Sequence, residues 1–319
     1  MKERVSRMAF TLKNNLPLVA MPAMLLLVEI LALFLSSPLQ AAGVSALPYP
    51  PENIWNTAVF VLMLLGFTVF LLILIRYRLK FIIPAIIALS FFFTFYYIFA
   101  SLALAAAGET PLAGLATLAL SIGATVLLYR YPEWYVIDTL GILLCAGVAS
   151  IFGIAMGIIP AIVLLVLLAV YDAISVYRTK HMITLAEGVL SQKAPILFVI
   201  PKRRDYSFIQ EGLAIGEKEG AGGEGEKKER GAFVIGMGDF IMPTILVVSA
   251  NVFLPVPGWP VSPAAIGAAL GSLAGLAVLL SALRQGKPQA GLPPLNALTI
   301  AGFLIGCALA GTWGWVPGL

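Results

Sequence analysis

Charge is what this sequence has least of. Only 11% of its 319 residues are Asp, Glu, Lys or Arg, where soluble domains carry about 25%. With 60% hydrophobic residues and a mean hydropathy of +0.98, the chain cannot dress a water-soluble surface, and its class is a polytopic membrane protein. Histidine is nearly absent. The single one, His181, lies in a polar loop, which argues against a histidine-built metal centre and against a Ser-His triad. The two cysteines, Cys145 and Cys307, sit inside apolar runs with no metal spacing and no disulfide framework, and read as small packing residues. The net charge of +4 comes from a few loops, so it implies no nucleic-acid partner. Neither a metal nor a cofactor is expected.

Long hydrophobic runs are what the chain does have. A helix needs about 20 apolar residues to cross about 30 Å of hydrocarbon. Candidate spans run about Leu16 to Leu35, Thr57 to Ile75, Phe81 to Ala106, Leu112 to Leu128, Tyr135 to Phe152, Ile158 to Val176, Ala232 to Leu254, Ser262 to Leu283 and Pro293 to Trp313. The fifth and sixth come from one stretch, Trp134 to Tyr177, roughly twice the membrane thickness at about 1.5 Å per residue; Gly153, Gly157 and Pro160 supply the break. The N-terminus, Met1 to Asn15, is basic, but the run after it is long and lacks a small-residue cleavage site, so it reads as a retained first span. Ser45 to Trp55 is Pro-rich and reads as an ordered outer loop.

Loop charge tests the span count. Lys and Arg number four in the N-terminal tail, then three, one, ten and two in the second, fourth, sixth and eighth loops, and none elsewhere. Basic residues favour the cytoplasmic side. The expected fold is therefore an all-α polytopic membrane protein of nine transmembrane helices, N-terminus cytoplasmic and C-terminus outside. It divides into residues 1–177 (helices one to six), 178–231 (a cytoplasmic loop, partly disordered) and 232–319 (helices seven to nine). Within the loop, Met182 to Glu187 suits a short interfacial helix and Pro195 to Ile200 a strand. Glu211 to Arg230 is mostly Gly, Glu and Lys and suits a flexible tether.

Two carboxylates stand where hydrocarbon is expected. Asp172 lies six residues before Arg178, and Asp239 lies nine after Arg230. At about 1.5 Å per residue each is roughly 9 to 13 Å inside the cytoplasmic boundary, on consecutive antiparallel spans. An intramembrane ionisable residue marks a functional site by default. Two facing carboxylates cannot both ionise cheaply, so the pair holds one proton. Its ionised member can polarise water while the other protonates a carbonyl or leaving amine, which is aspartic-protease chemistry. Spacing alone leaves a cation channel or ion transporter equally open. Gly236 and Gly238, just before Asp239, allow another backbone to approach, or serve ordinary small-residue packing. Glu29, deep in the first span, reads as a structural residue, protonated or paired inside the bundle, and Asp138, one turn past Trp134, as an interfacial one. Tyr171 points about 100° from Asp172 on a helix, so it either lines the cleft or packs.

Tyr171-Asp172, Gly236-Met237-Gly238-Asp239 and a Pro-Leu motif opening the last span resemble the presenilin and signal-peptide-peptidase family of intramembrane aspartyl proteases. The likeness extends to Arg230-Gly231, to Gly238-Asp239-Phe240-Ile241 and to the nine-span layout, and so covers nearly the whole chain. It implies an aspartic endopeptidase of the Gly-X-Gly-Asp type, with Asp172 and Asp239 catalytic. Tyr171, Gly236, Gly238, Pro293, Pro294 and Leu295 would shape the site or bind substrate. The implied partners are transmembrane-helix proteins as substrates and the lipid bilayer, with a homo-oligomer left open. The small size resembles an archaeal homologue, which implies a prokaryotic cell membrane. One position departs from the family: its third motif is Pro-Ala-Leu, and here the residues are Pro293-Pro294-Leu295. Any role needing a small middle side chain or its N–H is thereby in question.

Overall fold

The computed structural model describes residues 2–77, 82–176, 197–201, 206–211, 232–283 and 290–316. Its helices are α1 (Lys2–Ala41), α2 (Trp55–Arg76), α3 (Ile82–Ala107), α4 (Pro111–Arg130), α5 (Trp134–Ala155), α6 (Ile158–Ile174), α7 (Met237–Phe253), α8 (Pro263–Leu283) and α9 (Leu292–Ala310). A single helical turn, Phe208–Glu211, and two strands, β1 (Leu197–Pro201) and β2 (Ala232–Gly236), lie between α6 and α7. Among the described residues, seven helices are long and apolar enough to cross a membrane. The other two, α6 and α7, have 17 residues each and carry the two aspartates.

Apolar residues face lipid as readily as core, so hydropathy does not say which helices are central. Small residues do. On α5, a Cβ added at Gly141 would lie 2.6 Å from Met237 Cε, one at Gly147 would lie 2.2 Å from Ile98 Cδ1, and one at Gly153 would lie 2.6 Å from Val248 Cβ. These glycines let α3 and α7 come close, and 56% of the span in α5 is buried against 11% in α2. Around α5 pack α1 and α7, while α3 and α4 form a peripheral pair. Glu29 of α1 is buried and accepts a hydrogen bond from Ser272 Oγ of α8. The break between α5 and α6 falls where expected and is tied to the Pro-rich segment before α2. The Gly157 N–H donates to Pro51 O at 2.7 Å, and Asn56 Nδ2 donates to Pro50 O and Ala155 O.

Four expectations are corrected. The seventh span does not begin as helix at Ala232. Residues Ala232–Gly236 are strand β2, and the helix starts at Met237. A short apolar run reads alike as helix or strand, and Phe233-Val234-Ile235 has the β-favouring side chains. Secondly, the single strand expected in the loop has a partner: beside the helical bundle, β1 and β2 pair antiparallel among the described residues, Leu197 with Gly236, Val199 with Val234 and Pro201 with Ala232. The expected strand at 195–200 is present over the described residues Leu197–Pro201; residues 195 and 196 lie outside them. Thirdly, α1 runs past both ends of the expected first span. Finally, α9 ends at Ala310 and not Trp313, because Gly311 turns left-handed (φ 66) and closes the helix. The expected loop helix at 182–187 lies outside the described residues, as does the tether beyond Glu211.

Candidate active site

Asp172 occupies the last turn of α6, and the start of α9 lies against it. Its Oδ2 accepts the Leu292 N–H at 3.0 Å, and the Gly291 amide interacts with the same carboxylate. The first four N–H groups of any helix lack partners inside it. In α9 two of the four are removed by Pro293 and Pro294, and Leu292 turns its own onto Asp172. Prolines at these positions cost the helix no hydrogen bond. The amide that reaches the carboxylate is thus two residues upstream of Pro294, whose missing N–H removes nothing from this contact.

Asp239 is the third residue of α7, close to the positive end of the helix dipole. Gly236, in extended backbone, ends β2 and caps α7 without a side chain. The Asp239 carboxylate turns back over it: a Cβ on Gly236 would lie 3.5 Å from Oδ2. A Cβ on Gly291 would lie 3.3 Å from both Asp239 carboxylate oxygens. Asp172 is near enough for its charge to act on Asp239. One short segment, Gly291-Leu292, therefore lies against both carboxylates: the Leu292 amide bonds Asp172, and the Asp239 carboxylate sits where a side chain on Gly291 would meet it. Pro243, four residues after Asp239, lacks the N–H that would bond the Asp239 carbonyl and leaves that carbonyl without its helical partner.

The remaining expected site residues fall into two groups. Leu295 is fully buried, and Gly275 of α8 packs directly on it: a Cβ there would lie 2.7 Å from Leu295 Cα and 2.8 Å from Pro294 O. This contact fixes where α9 begins. Tyr171 is 49% exposed, beside an Asp172 that is 6% exposed. Gly236 pairs with Leu197 of β1, and among the described residues nothing lies within 4 Å of a Cβ on Gly238. Close approach occurs at Gly291. Sequence reading missed Gly291 and Leu292, which carry no hydropathy signal, and Pro243, which its spacing from Asp239 could have flagged. Asp138 was expected at the interface; its Oδ1 accepts the Val199 N–H of β1 at 2.9 Å. Among the described residues, no group of three or more His, Cys, Asp or Glu is placed to hold a metal ion.

Two carboxylates sharing a site, one held by backbone donors and one beside a helix N-terminus, can divide one proton between them. That is the requirement for activating water and protonating a scissile amide. Comparison with known proteins points the same way. The family model described as signal-peptide peptidase, presenilin aspartyl protease matches residues 22–312. Two solved structures of a presenilin family intramembrane aspartate protease are similar to the chain. One, in space group C222, is 47% identical with a TM-score of 0.69, over 92% of this chain and 100% of that one. The other, in P2, is 49% identical with a TM-score of 0.68, over 92% of this chain and 99% of that one. Comparison with curated proteins gives no match. A family match over nearly the whole length, joined to near-half identity through 92% of it, decides the assignment: this chain is a multi-pass membrane protein belonging to the signal-peptide peptidase and presenilin family, and an intramembrane aspartyl protease.

Proposed function

We propose that Asp172 and Asp239 are the catalytic pair and that they hydrolyse peptide bonds within or near transmembrane helices of other proteins. The observation that carries this reading is the Gly291-Leu292 segment, which bonds Asp172 through the Leu292 amide and leaves, at Gly291, the space beside which the Asp239 carboxylate sits. In the reaction the ionised member takes a proton from water as the water oxygen adds to the scissile carbonyl carbon. The protonated member gives its proton to the carbonyl oxygen. Collapse then transfers a proton to the leaving nitrogen as the C–N bond breaks, yielding a carboxylic acid and an amine. Either aspartate can take either part, so the pair titrates as one unit.

The substrate must unwind first, because a helix hides its amides in internal hydrogen bonds. An extended segment can then add as a strand to the small sheet. β2 suits this, because it runs straight into α7 and Val234 is 38% exposed while Phe198, Val199 and Ile200 of β1 are buried. Among the described residues nothing lies within 4 Å of a Cβ on Gly238, which suits a substrate backbone beside Asp239. Tyr171, half exposed next to Asp172, is placed to meet a segment arriving from the bilayer. Pro293, Pro294 and Leu295, held by Gly275, keep the Leu292 amide on Asp172.

The chain is read as nine spans with a cytoplasmic N-terminus and an external C-terminus, in a prokaryotic, archaeal cell membrane. Residues 1–177 and 232–319 form its two membrane parts, joined by a cytoplasmic loop at 178–231, and a homo-oligomer is compatible with this layout. The deciding experiment uses purified protein and a transmembrane peptide, with each aspartate changed to Ala in turn. Loss of cleavage in both variants, with folding intact, is expected. Cleavage near the wild-type rate in either would remove that residue from the mechanism. Ion flux that vanishes in both, without proteolysis, would favour an ion pathway.

A further inference from the structure

Beside the site, one face of α6 meets one face of α9, and the two are joined at two levels. On α6 the buried residues Leu165, Leu168 and Asp172 recur at helical spacing and share a face. On α9 the buried Asn296 and Thr299 lie one and two turns after Leu292, on the same side of that helix. At the start of α9 the Leu292 N–H donates to Asp172 Oδ2 at 3.0 Å. Deeper along both helices, Asn296 Nδ2 donates to Leu165 O at 2.9 Å.

Asparagine is costly for stability at this place. Asn296 is fully buried, and among the described residues its Oδ1 has no hydrogen-bond partner. A buried acceptor left unpaired loses its water and gains nothing for it. Nor does the bond from Nδ2 repair a gap, because inside α6 the Leu165 carbonyl has its helical partner four residues on. A leucine, of similar bulk, would leave no polar atom unpaired here. Stability alone therefore favours an apolar side chain at position 296.

What the asparagine supplies is direction. Apolar contacts between helices are non-directional, and lipid gives helices no hydrophobic drive to associate. Held by such contacts alone, α9 slides or turns on α6 by a fraction of a turn at little cost. A single buried asparagine is a known means of fixing the register of paired helices at some loss of stability. In this protein the register decides whether the Leu292 amide, one turn before Asn296, meets Asp172.

We propose that Asn296 is a positioning residue for cleavage: its bond to Leu165 O sets α9 on α6 in one register and so keeps the Leu292 amide on Asp172. This deepens the reading of Asp172 and Asp239 as the catalytic pair and rests on it. Asn296 acts through Leu292 and takes no part in proton transfer.

The test is Asn296→Leu, with kcat and KM for one transmembrane peptide and a thermal melt taken on the same preparation. We expect kcat to fall about 10- to 100-fold, the cost of a small misplacement at the reacting groups, with KM within about twofold. The melting temperature should equal or exceed that of the wild type. A residue of structural use alone gives the opposite pattern, a lower melting temperature with kcat per folded molecule unchanged, and that result overturns the proposal. So does a wild-type kcat at any melting temperature. If Asn296→Leu does not fold, Asn296→Ala also lacks the donor, and the same fall in kcat is expected of it. Failure of both to fold makes Asn296 a residue of the fold and overturns the proposal too. A second measurement asks whether Asn296 acts through Leu292. The α-hydroxy acid analogue of leucine, placed at position 292, replaces only that N–H with an oxygen. It should lower kcat by itself, and adding Asn296→Leu should lower it little further. An unchanged kcat with the analogue, or two losses that multiply in full, overturns the proposal. Asp172→Ala separates the two readings. Cleavage near the wild-type rate there removes the catalytic pair and the proposal together. Abolished cleavage there, with wild-type kcat in Asn296→Leu, removes only the role of Asn296.

Discussion

At Gly291 one missing side chain decides how closely the two aspartates are held. Any Cβ there meets both Asp239 oxygens at 3.3 Å, so the carboxylate must shift by a few tenths of an ångström. The neighbouring amides hold Asp172, so the shift alters the geometry of the pair. Gly291→Ala is expected to lower kcat/KM by roughly 10- to 100-fold, in line with the sensitivity of catalysis to small misplacement, and to leave the folded protein intact. Peptide cleavage and thermal melting of the same preparation check both halves. On the proposed mechanism the pair also sets the pH response. Doubly protonated, it has no base; doubly ionised, it has no acid. Activity should follow a bell whose two limbs belong to the pair. Asp239→Asn should abolish activity at every pH, because an amide cannot exchange the proton. A flat wild-type profile, with the protein folded at each point, would contradict a titrating pair.

At the scale of elements, α8 and α9 set where the site begins. Their contact is backbone on backbone: a Cβ on Gly271 would lie 2.1 Å from Leu298 O, and one on Gly267 2.2 Å from Gly302 O. Small residues allow this approach where lipid offers helices no hydrophobic drive to associate. A clash with a carbonyl cannot be relieved by a rotamer, so Gly271→Ala should cost about 1–3 kcal/mol and lower activity by displacing Leu292. Gly114→Ala on α4, with nothing within 4 Å, should do neither. Melting curves of the two variants give the comparison. This scale also shows where reading the sequence succeeds and fails. That Asp172 and Asp239 come together was legible because helical rise is constant and each lies a few residues from the Lys and Arg that close its span. The break at Gly153, Gly157 and Pro160 was legible because the run was too long for one membrane. The start of α7 was not, because hydropathy treats Phe233-Val234-Ile235 alike as strand or helix and only the pairing with β1 decides. The contacts of Gly291 and Asp138 were not, because they are made with segments far away in the chain.

For the molecule as a whole, the open quantity is the number of crossings, and it turns on the two short helices. At about 1.5 Å per residue, 17 residues reach roughly 25 Å, less than the hydrocarbon thickness of about 30 Å. α7 is preceded without a break by β2, whose five residues add roughly 17 Å at about 3.4 Å each, so the two together can cross. α6 continues helically to Val176, which brings it to within a few ångströms of the full thickness. Both aspartates then lie near one end of their helices, where water and an unwound substrate can reach them and where no charge has to sit at the bilayer centre. If both helices cross, the chain has an odd number of spans and its ends lie on opposite sides. All 20 Lys and Arg then fall on the same side as the N-terminus, as basic loops should. A tag placed at Gly222 should be reachable only from the cytoplasm, and one at the C-terminus only from outside, when intact and permeabilised cells are labelled in parallel. If α7 did not cross, the C-terminus would join Gly222 in the cytoplasm and both tags would label from one face. That result would put Asp239 on a helix lying on the membrane, where it could not share a proton with Asp172, and the topology and the catalytic pair would fall together.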